Sequence, residues 1–225
     1  RGLGDVYKRQ FPSSGTLTID NSTINAKTMG VQVCAGSLEI TGDKTAINVT
    51  GGPVDKTEND GAIQDGAAIS VVDRTGYKGL GKVEVKNGSF TAKTDEALKA
   101  YKYENKEEGK FDNDDKKLTV TGGTFSGNVS DYVPDNTPVA TVSTQGGGNT
   151  YVVGSEAIAD AANNDANVTI IKGGAISGVN EGVTIVVDKE VKGVTINNVP
   201  VEENKTYIVP AKPSTGGYYY YPSTC

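Results

Sequence analysis

GTLTIDNSTINA, at residues 15–26, is the first of four copies of one pattern, which returns as GSLEITGDKTAI (36–47), GKVEVKNGSFTA (81–92) and KKLTVTGGTFSG (116–127). In every copy two apolar residues alternate with polar ones, a turn-forming pair follows, and one more apolar residue comes after the turn. Alternation with a period of two is typical of a half-buried β-strand. Each copy therefore predicts two strands separated by a corner, where glycine, aspartate or asparagine permits a tight turn.

Two arrangements of these strands compete. An antiparallel hairpin would pair strands within one copy, whereas a solenoid would pair strands between copies. The same position carries the same class of residue in every copy, as at Leu17, Leu38, Val83 and Leu118, and this favours pairing between copies. The first two copies begin 21 residues apart, at Gly15 and Gly36, which fits the ~20–50-residue repeat of stacked architectures. We therefore predict an all-β chain folded as a right-handed parallel β-helix.

Insertions interrupt this solenoid. GAAISVVD (66–73) supplies the strand of an additional coil between the second and third copies. YKYENKEEGKFDNDD (101–115) is so rich in charge that it predicts a solvated loop, and a shorter excursion covers residues 53–60. DYVPDNTP (131–138) ends the first section, because a proline cannot continue a central strand.

A short helix near residue 157 is predicted from the small apolar residues Ala157 to Ala162, with Ser155 as its N-cap. The pattern then returns in NVTIIKGGAISG (167–178) and in two shorter GVTI copies, which predicts a second stack of strands. The predicted organisation is non-native sequence at 1–10, parallel β-helix coils at 11–130 with a charged loop insertion at 101–115, a linker at 131–150, the helix and second stack at 151–210, and an extended Tyr/Pro/Ser/Thr-rich linker at 211–225.

Charge and composition exclude several classes of function. The net charge is −6 and the lysines are spread along the chain, which argues against a nucleic-acid partner. No apolar run approaches the ~18 residues of a membrane span, so we expect no membrane insertion. We also expect a monomer. Of the two cysteines, Cys34 reads as a free thiol in or near the core, and a disulfide to Cys225 stays open as the alternative.

Catalytic chemistry has few candidates. The chain has no histidine, which excludes Ser-His-Asp triads, Cys-His dyads and ordinary zinc sites. Arg74 could serve a polysaccharide lyase as the proton-abstracting base, and two of Asp43, Asp65 and Asp73 could serve a glycoside hydrolase. Nothing in the sequence selects these residues from an ordinary solvated face. We therefore expect no catalytic residues.

Binding chemistry centres on the charged insertion. Tyr101 and Tyr103 are candidates for stacking on sugar rings, as aromatic side chains do on carbohydrate-binding surfaces. A calcium loop of the EF type has the pattern D-x-D-x-D-G with a later glutamate, whereas Asp112–Asp115 has adjacent carboxylates followed by two lysines. We therefore expect a solvated loop there. We expect no metal and no cofactor.

The chain also resembles a known group of proteins. VTGGTFSG (120–127) followed by DYVP (131–134), the helix-then-strand segment 151–172 and the tail KPSTGGYYYYP (212–222) are similar to segments of large surface proteins of gut Firmicutes. In those proteins a pectin-lyase-like solenoid precedes a cell-wall attachment region. The resemblance implies a secreted or cell-wall-attached, non-enzymatic structural or adhesion module that contacts glycans or host surface proteins. The alternative is a carbohydrate-active enzyme or carbohydrate-binding module on the same scaffold.

Overall fold

The computed structural model describes residues 15–54, 63–74, 76–77, 79–94, 96–105, 107–143 and 148–211. This part of the chain contains twenty strands, one α-helix, α1 (Ser155–Asn163), and a 3-10 helix (Ser130–Tyr132). In chain order the strands are β1 (Thr16–Asp20), β2 (Thr23–Ala26), β3 (Val31–Val33), β4 (Gly36–Thr41), β5 (Ala46–Val49), β6 (Ile69–Arg74), β7 (Leu80–Val85), β8 (Ser89–Ala92), β9 (Leu98–Glu104), β10 (Glu107–Lys110), β11 (Leu118–Val120), β12 (Gly123–Phe125), β13 (Val139–Ser143), β14 (Asn149–Val153), β15 (Asn167–Lys172), β16 (Gly174–Ile176), β17 (Thr184–Val187), β18 (Val194–Ile196), β19 (Val199–Val201) and β20 (Lys205–Ile208).

Strands of successive sequence copies pair in parallel and in register. One sheet has the order β1-β4-β7-β11, and its register places Leu38 opposite both Leu17 and Val83. The pairs β2-β5, β5-β8 and β8-β12 are also parallel, with Phe90 opposite both Ile47 and Phe125. Equal registers put apolar side chains of neighbouring strands on the same face, and Leu38, Val83, Phe90 and Phe125 are all buried.

The Phe90 and Phe125 rings are the largest fully buried side chains of this core. They stack with centroids 4.8 Å apart, and neither ring is exposed to solvent. The turn before β8 must leave space for them: Gly88 has a φ of +124°, and a Cβ atom there would lie 2.8 Å from Cζ of Phe90. Glycine is therefore required at the asparagine-glycine turn that the sequence pattern marked.

The prediction of one parallel β-helix solenoid is wrong. In the described residues the strands form four sheets and do not close into one solenoid. The largest, of nine strands, has the order β2-β5-β8-β12-β14-β13-β15-β17-β20 and changes from parallel to antiparallel pairing at β12-β14. Alternating apolar residues bury one face of a strand in either direction, so the pattern that predicted the strands could not encode this reversal.

The segment 131–150, which we predicted as a linker, differs most from expectation. It contains β13, which lies between β14 and β15 in the nine-stranded sheet, and whose Val139 and Ala140 are fully buried. Pro134 and Pro138 precede this strand and do not interrupt it. The Pro138 carbonyl accepts a hydrogen bond from the Gly154 amide at 2.9 Å. Proline has no backbone N–H to donate, but the contact with Gly154 uses its carbonyl, so Pro138 is tolerated directly before β13.

The charged insertion 101–115 is also more ordered than the predicted solvated loop. β9 and β10 form an antiparallel hairpin, and the parallel β6-β9 pairing joins it to the sheet of order β10-β9-β6-β3. Tyr101 and Tyr103 alternate with Lys102 and Glu104, so one face of β9 is buried although three of its seven residues are charged. A period of two therefore governs this segment, and its charge content concealed it.

A second core lies under α1. Ile158, Ala159 and Ala162 are buried against the apolar side chains of β13 to β18, which include Ile170 and Ile185. The short helix predicted near residue 157 is present.

The predicted N-cap of that helix is not used. Gly154 occupies the N-cap position with a φ of +98°, and Ser155 is the first helical residue. The Ser155 hydroxyl instead accepts a hydrogen bond from the Ser177 amide at 2.9 Å. Serine therefore ties the helix to the chain beyond β16, a long-range contact that local sequence cannot show.

Several predictions fall outside the described residues. These are the non-native sequence at 1–10, most of the excursion at 53–60, and the tail from residue 212 onwards with its linker and Cys225. The disulfide between Cys34 and Cys225 therefore stays an open alternative.

Candidate functional site

The predicted binding residues Tyr101 and Tyr103 are buried. Their side chains are 4% and 9% exposed, and they pack with Ile63 and Val72 in a small apolar cluster. The Lys99 ammonium lies 5.2 Å from the centre of the Tyr101 ring, and the Arg74 guanidinium lies 5.2 Å from that of Tyr103. Stacking on a sugar needs an exposed ring face, which this burial does not provide.

Tyr101 takes part in a buried polar network with Asp65. The Tyr101 hydroxyl donates to Oδ2 of Asp65 at 2.9 Å, while Oδ1 accepts from the Ser70 hydroxyl at 2.8 Å and from the Ala67 amide at 3.1 Å. Burial, the Asp65 charge and this hydrogen bond raise the pKa of Tyr101 well above its ordinary value. No buried side-chain nitrogen or oxygen lacks a partner in the described ranges. The Asp65 network is therefore satisfied and structural.

Cys34 lies beside this network and is protected from ionisation. Its thiol donates to Oε1 of Gln32 at 3.7 Å, and the same oxygen accepts from the Ile63 amide. Burial raises the pKa of Cys34 to about 11; the Arg74 charge lowers it and the Asp65 charge raises it. A thiol with so high a pKa is a poor nucleophile at neutral pH.

The candidate catalytic residues do not form a constellation. Asp65 is committed to its network, Asp43 lies in the turn between β4 and β5, and Asp73 pairs in register with Lys102 on β9. The Arg74 guanidinium lies over the rings of Tyr77 and Tyr103. The structure therefore does not assemble these residues into a catalytic site of either the lyase or the hydrolase type.

Asp112 and its neighbours form a local turn. Oδ1 of Asp112 accepts a hydrogen bond from the Asp114 amide at 3.0 Å. Among the residues that the structure describes, no three His, Cys, Asp or Glu side chains are grouped so that they could hold a metal ion. No described helix is long and apolar enough to cross a membrane.

A groove of about 1010 Å³ lies between the segment that follows β10 and the segment around the 3-10 helix. Asp112 and Asp114 line one side, and Asp131, Tyr132 and Asp135 line the other. These four aspartates are exposed, whereas Tyr132 is half-buried and packs against the first core. Burial, and then the charge of Asp131, raise the pKa of Tyr132 above its ordinary value.

Hydrogen bonds hold both walls of this groove. The Lys172 ammonium donates to the carbonyls of Ser130 and Val133, at 3.2 and 2.8 Å. On the opposite wall the Asn113 amide group donates to the Leu118 carbonyl and accepts from the Leu118 amide, at 3.0 and 2.8 Å. The groove is therefore preformed, because its walls are tied to strands β15 and β11.

Sequence reasoning overlooked Tyr132 as a binding candidate. It follows Asp131 in the segment 131–138, which marked a break in the strand pattern and, at 131–134, carried part of the resemblance to surface proteins. Tyrosines within a charged segment were the signal that selected Tyr101 and Tyr103, and Tyr132, close to Asp131 and Asp135, shows a similar signal. Burial distinguishes Tyr101 and Tyr103 from Tyr132, and it arises because both of these tyrosines lie on the inner face of strand β9.

No protein-family model, curated protein or solved structure matches this chain.

Proposed function

We propose that this chain is a non-enzymatic extracellular adhesion module that contacts a glycan through the groove beside Tyr132. The observation that carries the proposal is the placement of a half-buried tyrosine among exposed carboxylates, in a groove of about 1010 Å³. Aromatic rings pack against the apolar C–H faces of sugars, and carboxylate oxygens accept hydrogen bonds from sugar hydroxyls. A concave site with a few fixed polar groups is typical of small-ligand recognition.

The electrostatics of the groove favour a neutral glycan. Four aspartates line the groove, and so do three lysines, Lys110, Lys116 and Lys172. The Lys172 ammonium is bonded to two carbonyls of the groove wall, so the aspartates outnumber the remaining lysines by four to two, which disfavours a uronate or a sulfated sugar. An uncharged oligosaccharide is therefore the best match for this surface.

The non-enzymatic part of the proposal rests on the chemistry of the chain. No histidine is available for general acid-base catalysis, and Arg74 is engaged with two tyrosine rings. The extracellular location rests on the resemblance of the wall-proximal tail. Adhesion is the function that needs a rigid scaffold and a surface groove but no reactive group.

The test is a glycan-array screen of the full chain, followed by titration calorimetry on each hit. Tyr132→Ala should weaken binding by up to about 10-fold, because stacking on one ring contributes about 0.5–1.5 kcal/mol. Tyr77→Ala is the matched control, since Tyr77 is another half-buried tyrosine but lies outside the groove. It should leave the affinity unchanged.

Three results would overturn the proposal. The first is that no neutral glycan binds, and the second is that Tyr132→Ala and Tyr77→Ala bind as tightly as the parent chain. The third is conversion of a bound glycan into shorter or unsaturated products, which would make the chain a carbohydrate-active enzyme. Thermal melting of each variant confirms that a loss of binding is not a loss of folding.

A further inference from the structure

The sequence contains a single asparagine-glycine pair, and it lies in the turn between β7 and β8. Asn87 is exposed to solvent, whereas Gly88 is buried. The Gly88 amide donates a hydrogen bond to Oδ1 of Asn87 at 2.8 Å. In the described structure this is the one hydrogen bond of the Asn87 side chain, which therefore folds back onto its own following peptide and is not tied to a neighbouring strand.

This contact brings together the two atoms that react when an asparagine deamidates. Deamidation begins when the amide nitrogen of the following residue attacks Cγ of the asparagine side chain. Because Cγ is bonded to Oδ1, the hydrogen bond holds the Gly88 nitrogen about 3–4 Å from Cγ of Asn87. Rotation about the Cβ–Cγ bond exchanges Oδ1 and Nδ2 but does not move Cγ. The nitrogen therefore stays within reach of Cγ when the hydrogen bond opens.

The other described pair of this type, Asp65 and Gly66, is arranged differently. Both carboxylate oxygens of Asp65 accept hydrogen bonds inside the protein. The Gly66 amide donates to the Thr28 carbonyl at 2.8 Å, so it points away from the Asp65 side chain. Neither reacting group is available there, because each is bonded to another part of the chain.

An equivalent asparagine in the first sequence copy is also arranged differently. Asn21 occupies the corresponding turn, between β1 and β2, and is exposed like Asn87. Its Oδ1 atom accepts a hydrogen bond from the Lys44 amide at 3.2 Å, which ties the side chain to the next copy of the pattern. Serine follows Asn21, and its side chain hinders approach of the amide where glycine does not.

We propose that Asn87 deamidates spontaneously in the folded chain, with water as the only other reactant. The Gly88 nitrogen loses its proton to solvent and bonds to Cγ, the Cγ–Nδ2 bond breaks, and ammonia leaves. The product of this step is a succinimide ring. Water then adds to one of its two carbonyl carbons and breaks the bond from that carbon to nitrogen. Opening at Cγ gives aspartate, and opening at the backbone carbonyl of Asn87 gives isoaspartate. Each product carries a negative charge that asparagine lacks, and the ammonia takes up the released proton.

Isoaspartate at this position should disturb the first core. Its main chain runs through Cγ and so gains one atom between Lys86 and Gly88. Both ends of this connection are fixed, because the Lys86 amide donates to the Ile40 carbonyl at 2.8 Å and the Gly88 carbonyl accepts from the Thr124 amide at 2.9 Å. Gly88 also lies against the Phe90 ring. The additional atom must displace Gly88, whereas the aspartate product keeps the original length of the main chain.

The test is incubation of the full chain in buffer at neutral pH, followed by peptide mapping with mass spectrometry, which detects the conversion of an amide to a carboxylate. Asn87 should convert at least about 10-fold faster than Asn21, because positioning two reacting groups can accelerate a reaction by several powers of ten. The rate should rise with pH, since the deprotonated Gly88 amide is the attacking group. The isoaspartate form, separated by ion exchange, should melt at a lower temperature than Asn87→Asp, which supplies the other product.

Asn87→Gln is the matched control. It keeps an amide at the same exposed position, but its side chain is one methylene longer and would have to close a larger ring, so residue 87 should stay unmodified. The proposal is overturned if Asn87 converts no faster than Asn21, or if it converts in urea but not in the native chain, because the fold would then protect the turn. Conversion of Asn87→Gln at the parent rate also overturns it. An isoaspartate form that melts with Asn87→Asp would refute the predicted displacement of Gly88.

Discussion

Replacing Tyr101 by phenylalanine should destabilise the protein more than its small change in volume suggests. The Tyr101 hydroxyl is the one donor to Oδ2 of Asp65 in the described structure, at 2.9 Å, and both side chains are less than 9% exposed. Tyr101→Phe leaves that carboxylate oxygen buried without a partner. A hydrogen bond to a charged group contributes about 1.5–3 kcal/mol, so we expect the free energy of unfolding to fall by about 2 kcal/mol.

The same carboxylate provides an internal comparison. Oδ1 accepts from both the Ser70 hydroxyl and the Ala67 amide, so Ser70→Ala still leaves it one donor. We expect that variant to lose only about 1 kcal/mol. The order of the two decreases in the free energy of unfolding is a stricter test of these hydrogen bonds than either decrease alone, because Ser70 is fully buried and Tyr101 is slightly exposed. A ranking by burial alone would therefore predict the opposite order.

Urea unfolding at pH 7, followed by circular dichroism, measures both losses, and equal m-values show that the denatured states are comparable. A loss below about 0.5 kcal/mol for Tyr101→Phe, or a larger loss for Ser70→Ala, would refute the reasoning. A pH series adds an independent check. The pKa of Tyr101 is raised in the folded chain, so the unfolded chain ionises first and stability falls as pH rises above 10.0. Tyr101→Phe should show a shallower decline.

Two further predictions concern the first core and the thiol. Phe125→Ala should lower the free energy of unfolding by about 4 kcal/mol, because the ring is fully buried and stacked on Phe90; a loss below about 1 kcal/mol in urea melts would contradict that packing. In a Cys225→Ser background, Cys34 should react with iodoacetamide at pH 8 roughly 100-fold more slowly in the native chain than in urea, because burial raises its pKa from 9.0 to about 11; equal rates would mean that the thiol is exposed.

Much of the secondary structure follows from the sequence, and the reason is visible in single residues. Leu17, Leu38, Val83 and Leu118 occupy equivalent positions of the four copies, and the structure pairs their strands in the register that this equivalence predicts. The short helix near residue 157 is likewise present. Periodicity and turn chemistry are local properties, so one sequence suffices to read them.

The errors arose where the partner of a segment was not local. β13 was concealed by Pro134 and Pro138, although the prolines lie outside the strand. β9 was concealed by its charged residues, although the alternation of Tyr101 and Tyr103 is the same period-two signal. In the candidate site, sequence selected tyrosines that proved buried and overlooked Tyr132. Exposure depends on which strand covers a ring, and that is not encoded within a short window.

The sequence by itself determined that the chain is mostly β, where its repeated strands and glycine turns lie, and that histidine chemistry is excluded. Only the tertiary structure decided how the strands assemble: four sheets, a switch from parallel to antiparallel pairing at β12-β14, and two cores. It also decided that Asp65 is buried and that Tyr132 lines a groove. The physical reason is that alternation specifies which face of a strand is apolar, whereas the direction and identity of its neighbours depend on contacts between residues far apart in the chain.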